Sequence, residues 1–114
     1  MPDKGNLLEL CRLGDVPPGT ARRVDLGAQS YAVFNLDGRL FVTQNDCTHG
    51  AGSLGDSFID GEEVECEFHG GRFHIPSGKP TLPPCIDPLE TWEAVVVGDT
   101  ICIDPAAGRT ADKE

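Results

Sequence analysis

No apolar run in this 114-residue chain exceeds the length of Ala94-Val95-Val96-Val97. A membrane-crossing helix needs about 20 such residues, so none is expected. Met1-Pro2-Asp3-Lys4-Gly5-Asn6 lacks a positive patch followed by an apolar stretch, so no secretory leader is expected either. Basic side chains are scarce: 9 Lys and Arg stand against 19 Asp and Glu, for a net charge of −10. That balance argues against nucleic acid and anionic membrane as partners and favours a basic patch on another protein. Helix signals are missing as well, because no segment repeats apolar residues at a 3.6-residue spacing between caps. Histidine occurs only at positions 49, 69 and 74.

Turn formers are abundant, with 14 Gly and 9 Pro. Together with 39% hydrophobic residues they predict an all-β fold of short antiparallel strands in two packed layers, one domain over residues 1–114. Strands are expected within Leu7–Leu13 and at Arg22–Leu26. Ser30–Leu36 and Arg39–Thr43 should form a hairpin about Asp37-Gly38. Tyr31-Ala32-Val33-Phe34-Asn35-Leu36 has the β-branched and aromatic content of a half-buried strand. A second hairpin joins Ser57–Asp60 to Glu62–Glu65, and a short strand follows at Arg72–Ile75. The four prolines of Pro80–Pro88 read as a loop, because proline cannot donate to a ladder. Thr91–Val97 and Thr100–Asp104 form the last hairpin, about Gly98-Asp99. The stretch 106–114 has little to bury and is expected to be mobile.

Between these strands lie two segments with a different chemistry, Cys47-Thr48-His49 and Cys66-Glu67-Phe68-His69. Each supplies one thiolate and one imidazole, with residues 50–65 between them. Structural zinc sites usually combine a CxxC half with a histidine half. Here Cys and His recur within each half. The pattern suits a two-iron cluster in which Cys47 and Cys66 hold one iron while His49 and His69 hold the other. A β domain stapled by zinc and acting as an interaction module is the less favoured alternative. Gly50 and Gly52 follow the first pair, Gly70 and Gly71 the second. They leave room for main-chain amides near bridging sulfides.

The spacing C-x-H…C-x-x-H, followed by Gly70-Gly71-Arg72-Phe73, resembles the Rieske ferredoxins that feed bacterial aromatic-ring-hydroxylating dioxygenases. The resemblance covers roughly residues 7 to 104. It implies one [2Fe–2S] cluster held by Cys47, His49, Cys66 and His69, with the histidines at the molecular tip. It also implies a β-sandwich-like base with a smaller three-stranded cluster lobe at about residues 45–85, and a third loop at Pro83-Pro84 over the cluster. In function it implies a cytoplasmic one-electron carrier rather than an enzyme. A flavoprotein reductase using NAD(P)H would reduce it, and a terminal Rieske oxygenase would accept its electrons. A module of another reductase system, such as a nitrite reductase small subunit, is the rival within the family. High-potential respiratory relatives carry an extra cysteine in each cluster loop, together with a serine and a tyrosine that bond to sulfur. This chain has Phe68 at the second loop's cysteine position, Gly71 at the serine position and Phe73 at the tyrosine position.

Cys11 and Cys102 fall in strand-like apolar runs and are expected to be small buried hydrophobes, whereas Cys85 sits in a proline-rich loop. Unpaired cysteines of this kind fit a reducing compartment. His74 is expected at the surface or packed against neighbours, not on a metal. Trp92 is expected in the core, and Asp46 could serve the site or the surface.

Overall fold

The computed structural model describes residues 7–47, 52–66, 70–83 and 87–111. In this part of the chain three antiparallel sheets account for the regular structure, joined by short turns of 3-10 helix. The strands are β1 (Leu8–Arg12), β2 (Ala21–Leu26), β3 (Gln29–Leu36), β4 (Arg39–Gln44), β5 (Phe58–Asp60), β6 (Glu63–Glu65), β7 (Arg72–His74), β8 (Pro80–Leu82), β9 (Glu90–Trp92), β10 (Val95–Val97), β11 (Thr100–Ile103) and β12 (Arg109–Thr110). They order as β1-β11-β10, as β12-β9-β4-β3-β2 and as β5-β6-β7-β8. Among the described residues no helix is long and apolar enough to cross a membrane.

The first two sheets make the base. Leu10, Ile101 and Ile103 from the three-stranded sheet meet Val24, Tyr31, Val33, Val42 and Trp92 from the five-stranded one. Trp92 stands edge-on to Tyr31, with ring centroids 5.1 Å apart, and its indole N–H donates to the Pro105 carbonyl at 3.2 Å. An indole N–H inside a core needs such a partner. The expectation for Trp92 therefore holds. Cys102 is buried, and Cys11 is half-buried against this core.

The other face of the five-stranded sheet is covered too. Ala32, Phe34 and Leu36 pack against Leu54, Val64, Phe73, Ile75, Leu89, Cys47 and Cys66. β3 thus buries both faces, where the sequence suggested a half-buried strand. The reason lies in Tyr31–Leu36 itself: it has no alternation of apolar and polar side chains, which is the mark of a strand covered on both sides. Its one polar member, Asn35, is satisfied. Its amide donates to the Val16 carbonyl at 2.8 Å and its carbonyl oxygen accepts the Gly38 N–H at 2.7 Å. That second bond also fixes the hairpin turn, where Asp37 and Gly38 both take positive φ (56° and 94°) as a two-residue type I′ turn requires.

Three elements differ from expectation. The run Thr91–Val97 is not one strand. β9 pairs with β4, then the chain leaves at Glu93-Ala94 and β10 pairs with β11 in the other sheet. One apolar run serves both layers because it turns the corner of the sandwich. The smaller sheet contains the three expected strands and a fourth, β8, in a segment read as loop. Pro80 is the first residue of that edge strand, a position where its missing N–H costs no ladder bond. Finally, the stretch beyond residue 105 is partly ordered: Arg109 and Thr110 form β12 against Thr91 and Glu90. Residues 112–114 lie outside the described residues.

The short turn Leu54–Asp56 presses on β2 so closely that a Cβ on Gly55 would lie 2.6 Å from the Arg23 nitrogen and 2.7 Å from its Cα. Backbone atoms cannot yield as a side-chain tip can. Gly55→Ala should therefore destabilise the protein by about 1–3 kcal/mol, the usual cost of overpacking. Chemical denaturation of the two proteins checks this, and equal midpoints would contradict it.

Candidate metal centre

The two cysteines head loops built on the same plan. In the first, the Cys47 N–H donates to the Gly52 carbonyl at 3.1 Å, beneath a β-bridge between Asp46 and Ser53. In the second, the Cys66 N–H donates to the Gly71 carbonyl at 2.7 Å, and the Gly70 N–H returns to the Cys66 carbonyl at 3.0 Å. Each loop thus starts on a cysteine, ends on a glycine five positions later and closes on a bond between the two. Strand β4 feeds the first loop. The β5–β6 hairpin delivers Cys66, and β7 leads away from Gly71. Gly70 has φ of 71°, a conformation L side chains seldom adopt.

Both cysteines are buried, at 5% and 1% exposure, in the core that Phe34 and Phe73 share. Gly52 shows how near they come. A Cβ there would sit 2.9 Å from the Cys66 sulfur and 3.3 Å from the Cys47 Cβ, so one bare Cα separates the two side chains. Its role is more specific than room for amides: it leaves room for both cysteine side chains. Two soft sulfur donors converging in an apolar surround match the cysteine-ligated half of an iron–sulfur cluster.

The remaining site expectations divide. His49, Gly50, His69 and Pro84 lie outside the described residues, as do Phe68 and Cys85. Gly71 supplies the carbonyl that closes the second loop. Pro83 is exposed at the end of β8. His74 is engaged elsewhere: Nδ1 meets the Ser77 hydroxyl at 2.7 Å and Nε2 meets Glu62 Oε1 at 3.3 Å. Asp46 is exposed, tied into the bridge below the first loop. Burial pushes the Cys11 and Cys102 thiols up, aided by the charges of Asp15 and Glu9 respectively. Held as thiols, they are poor competitors for iron, which binds thiolate.

Two residues have supporting roles that the sequence reading did not assign. Asn45 is fully buried just before Cys47. Its Oδ1 accepts the Gly55 N–H at 2.8 Å, its Nδ2 donates to the Ser53 hydroxyl at 3.1 Å, and its backbone binds Ser30 and Leu54. It thereby clamps both ends of the first loop. The only hint was a polar triplet, Gln44-Asn45-Asp46, at the close of an apolar strand. Arg72, just after Gly71, ion-pairs with Asp60 (2.8 Å), Glu63 (3.3 Å) and Glu65 (3.0 Å), bracing β5, β6 and β7. Those bonds hold its guanidinium even more firmly protonated than usual.

Comparison with known proteins points the same way. The profile of the Rieske [2Fe-2S] domain matches residues 6–93. The biphenyl dioxygenase ferredoxin subunit of Pseudomonas sp. (strain KKS102) is 41% identical over 95 residues, covering 82% of this chain and 87% of that protein. Among solved structures, a ferredoxin of Sphingomonas yanoikuyae B1 superposes with a TM-score of 0.83 at 40% identity, over 87% of this chain and 98% of that one. A chain from the complex of reduced oxygenase and oxidised ferredoxin in carbazole 1,9a-dioxygenase gives a TM-score of 0.81 at 37% identity, over 87% and 93%.

Gly52→Ala tests the close fit of this glycine against the two cysteines. The added methyl must displace the Cys66 sulfur, so cluster retention should weaken by about 10- to 100-fold, as when other groups that support metal ligands are altered. Iron and sulfide content after purification, compared with the parent, measures this. Full occupancy in the variant would show that the site tolerates a Cβ there.

Proposed function

The chain belongs to the Rieske [2Fe–2S] domain family, and we propose that within it the protein is the ferredoxin of an aromatic-ring-hydroxylating dioxygenase system. It carries one electron at a time, in the cytoplasm, from an NAD(P)H-dependent flavoprotein reductase to the Rieske centre of a terminal oxygenase. The observation that carries this reading is the meeting of Cys47 and Cys66 over Gly52, in a chain 41% identical to a biphenyl dioxygenase ferredoxin subunit. The 114 residues act as one Rieske domain, with the cluster lobe at about residues 45–85.

Cys47 and Cys66 hold one iron of the cluster, and His49 and His69 hold the other. Each histidine belongs to the same short loop as one of the cysteines, so two loops closed alike present the whole ligand set. In this reading Gly50, Gly52, Gly70 and Gly71 would shape those loops, and the Pro83-Pro84 segment would cover them. When bound, the cluster supplies a one-electron couple. The protein's own part is to hold the thiolates rigidly and exclude water behind them. A substrate- or oxygen-activating iron would need a 2-His-1-carboxylate set with open positions. With two of its three histidines assigned and His74 bound to Ser77 and Glu62, the chain has no such set to offer. The complete ligand set also favours a ferredoxin over a reductase module.

Substitution separates ligands from bystanders. His49→Ala or His69→Ala should abolish the Rieske absorption and EPR spectrum, and Cys47→Ser or Cys66→Ser should abolish or severely damage it. Cys11→Ala and Cys102→Val should leave it intact. An unchanged spectrum in the His69→Ala protein would overturn the assignment.

The reduction potential should lie near the low end of the Rieske range of about −150 to +300 mV. Phe73 is fully buried among apolar side chains and brings no hydroxyl, and Gly71 brings none either. Lacking both donors, the protein stabilises the more negative, reduced state less, and the potential falls. Protein-film voltammetry at neutral pH measures it. A value well above zero would exclude reduction by nicotinamide through a flavin as the tuned purpose of the site.

A further inference from the structure

The outer face of the four-stranded sheet has a composition that the fold does not require. Ile59, Val64 and Phe73 point inward to the core. The residues between them point out, and one cross-strand row runs Phe58–Glu65–Arg72–Leu82. Its two ends are exposed large hydrophobics, Phe58 at 65% and Leu82 at 46%. Phe58 sits on β5, an edge of its sheet. Exposed edges are usually protected by charge or by a covering segment, and a large aromatic there is a liability unless something uses it. Between the two ends Arg72 gathers the carboxylates of Asp60, Glu63 and Glu65 and fixes their positions. Three carboxylates against one guanidinium leave the face acidic, and the acids are held in place before any partner arrives. The row also lies at the metal-bearing end of the sheet. Glu65 directly precedes Cys66, and Arg72 directly follows Gly71.

We propose that this outer sheet face, anchored by Phe58 and bordered by Asp60, Glu63 and Glu65, docks a redox protein whose contact patch is apolar at the centre and ringed by lysine and arginine. The inference rests on the electron-carrier reading and places the contact on the flank of the lobe. An apolar centre gives the encounter its hold, while the ordered acids give it speed and orientation. The partner's cofactor is thereby brought beside both cysteine-headed loops.

Oxidised cytochrome c, a basic protein with a lysine-ringed haem edge, is a suitable probe. The dithionite-reduced protein passes one electron to ferric haem, giving ferrous cytochrome c and oxidised protein, and stopped-flow absorbance follows it. Asp60→Lys and Asp99→Lys change the net charge equally. Asp99, however, lies on the β10–β11 turn of the base, paired with Arg12. At low ionic strength Asp60→Lys should slow the reaction by about tenfold and Asp99→Lys by less than about twofold. In high salt the Asp60→Lys rate should return to that of the parent. Phe58→Ser should slow the reaction by about fivefold at every salt concentration with the Rieske spectrum unchanged, and Phe58→Leu should restore the rate. Equal losses in the two lysine variants would show that net charge alone steers the partner, and would overturn the proposal even if Phe58→Ser failed to fold. A parental rate in a folded Phe58→Ser protein would overturn it too. A loaded, reduced parent that passes no electron to cytochrome c would instead strike the carrier reading, and this inference with it.

Discussion

Everything in this fold leans on β3, the strand that is covered on both faces. On one side Tyr31 and Val33 close the base with Trp92, Val42 and Ile101. On the other, Ala32, Phe34 and Leu36 form the floor on which the metal-bearing lobe rests, Cys47 and Cys66 included. The two cores therefore share a wall one strand thick. A fully buried side chain such as Phe34 contributes about 1.5–3 kcal/mol by leaving water. Its contacts reach the core that holds both thiols, so base packing and thiol placement are one problem, not two.

Polar groups finish what that wall begins. Asn35 and Asn45 are the buried amides at the two ends of the β3–β4 hairpin path. One ties the Asp37-Gly38 turn to Val16, the other clamps the first loop to Ser53 and Gly55. Buried amides cost stability unless paired, and both are fully engaged. Outside, Glu62 links the two halves, accepting from Arg39 on β4 and meeting His74 on β7. Arg39, and then His74, hold its carboxyl below the usual range. Exposed pairs of this kind add little stability, but they fix where the lobe sits.

The architecture and the metal-binding chemistry were legible in the chain because both are local. Turn pairs such as Asp37-Gly38 and Gly98-Asp99 announce hairpins, and the clustered thiol and imidazole positions announce a metal site. What stayed hidden depends on partners distant in sequence. Tyr31–Leu36 shows that a strand is apolar, yet only the lobe above it explains why both faces are. Trp92 and Val95 look like one strand until their partners, Val42 and Cys102, prove to lie in different sheets. Pro80 argues against a strand until an edge position removes the objection. Asn45 and Arg72 reveal their use only when Gly55, Asp60 and Glu65 come beside them from across the loops.

The burial of Cys47 and Cys66 in a packed, apolar floor has a consequence for rate as well as for stability. Changing a centre's charge by one electron normally drags solvent and side chains into a new arrangement, and that rearrangement sets the barrier. Protein interiors are as tightly packed as organic crystals. Here the walls are Phe34, Leu54, Val64 and Phe73, all fully buried, and Gly52 lies against both cysteine side chains with none of its own. Little on that side can move or reorient. That side of the site therefore adds little to the reorganisation energy. A floor this stiff favours fast transfer at small driving force.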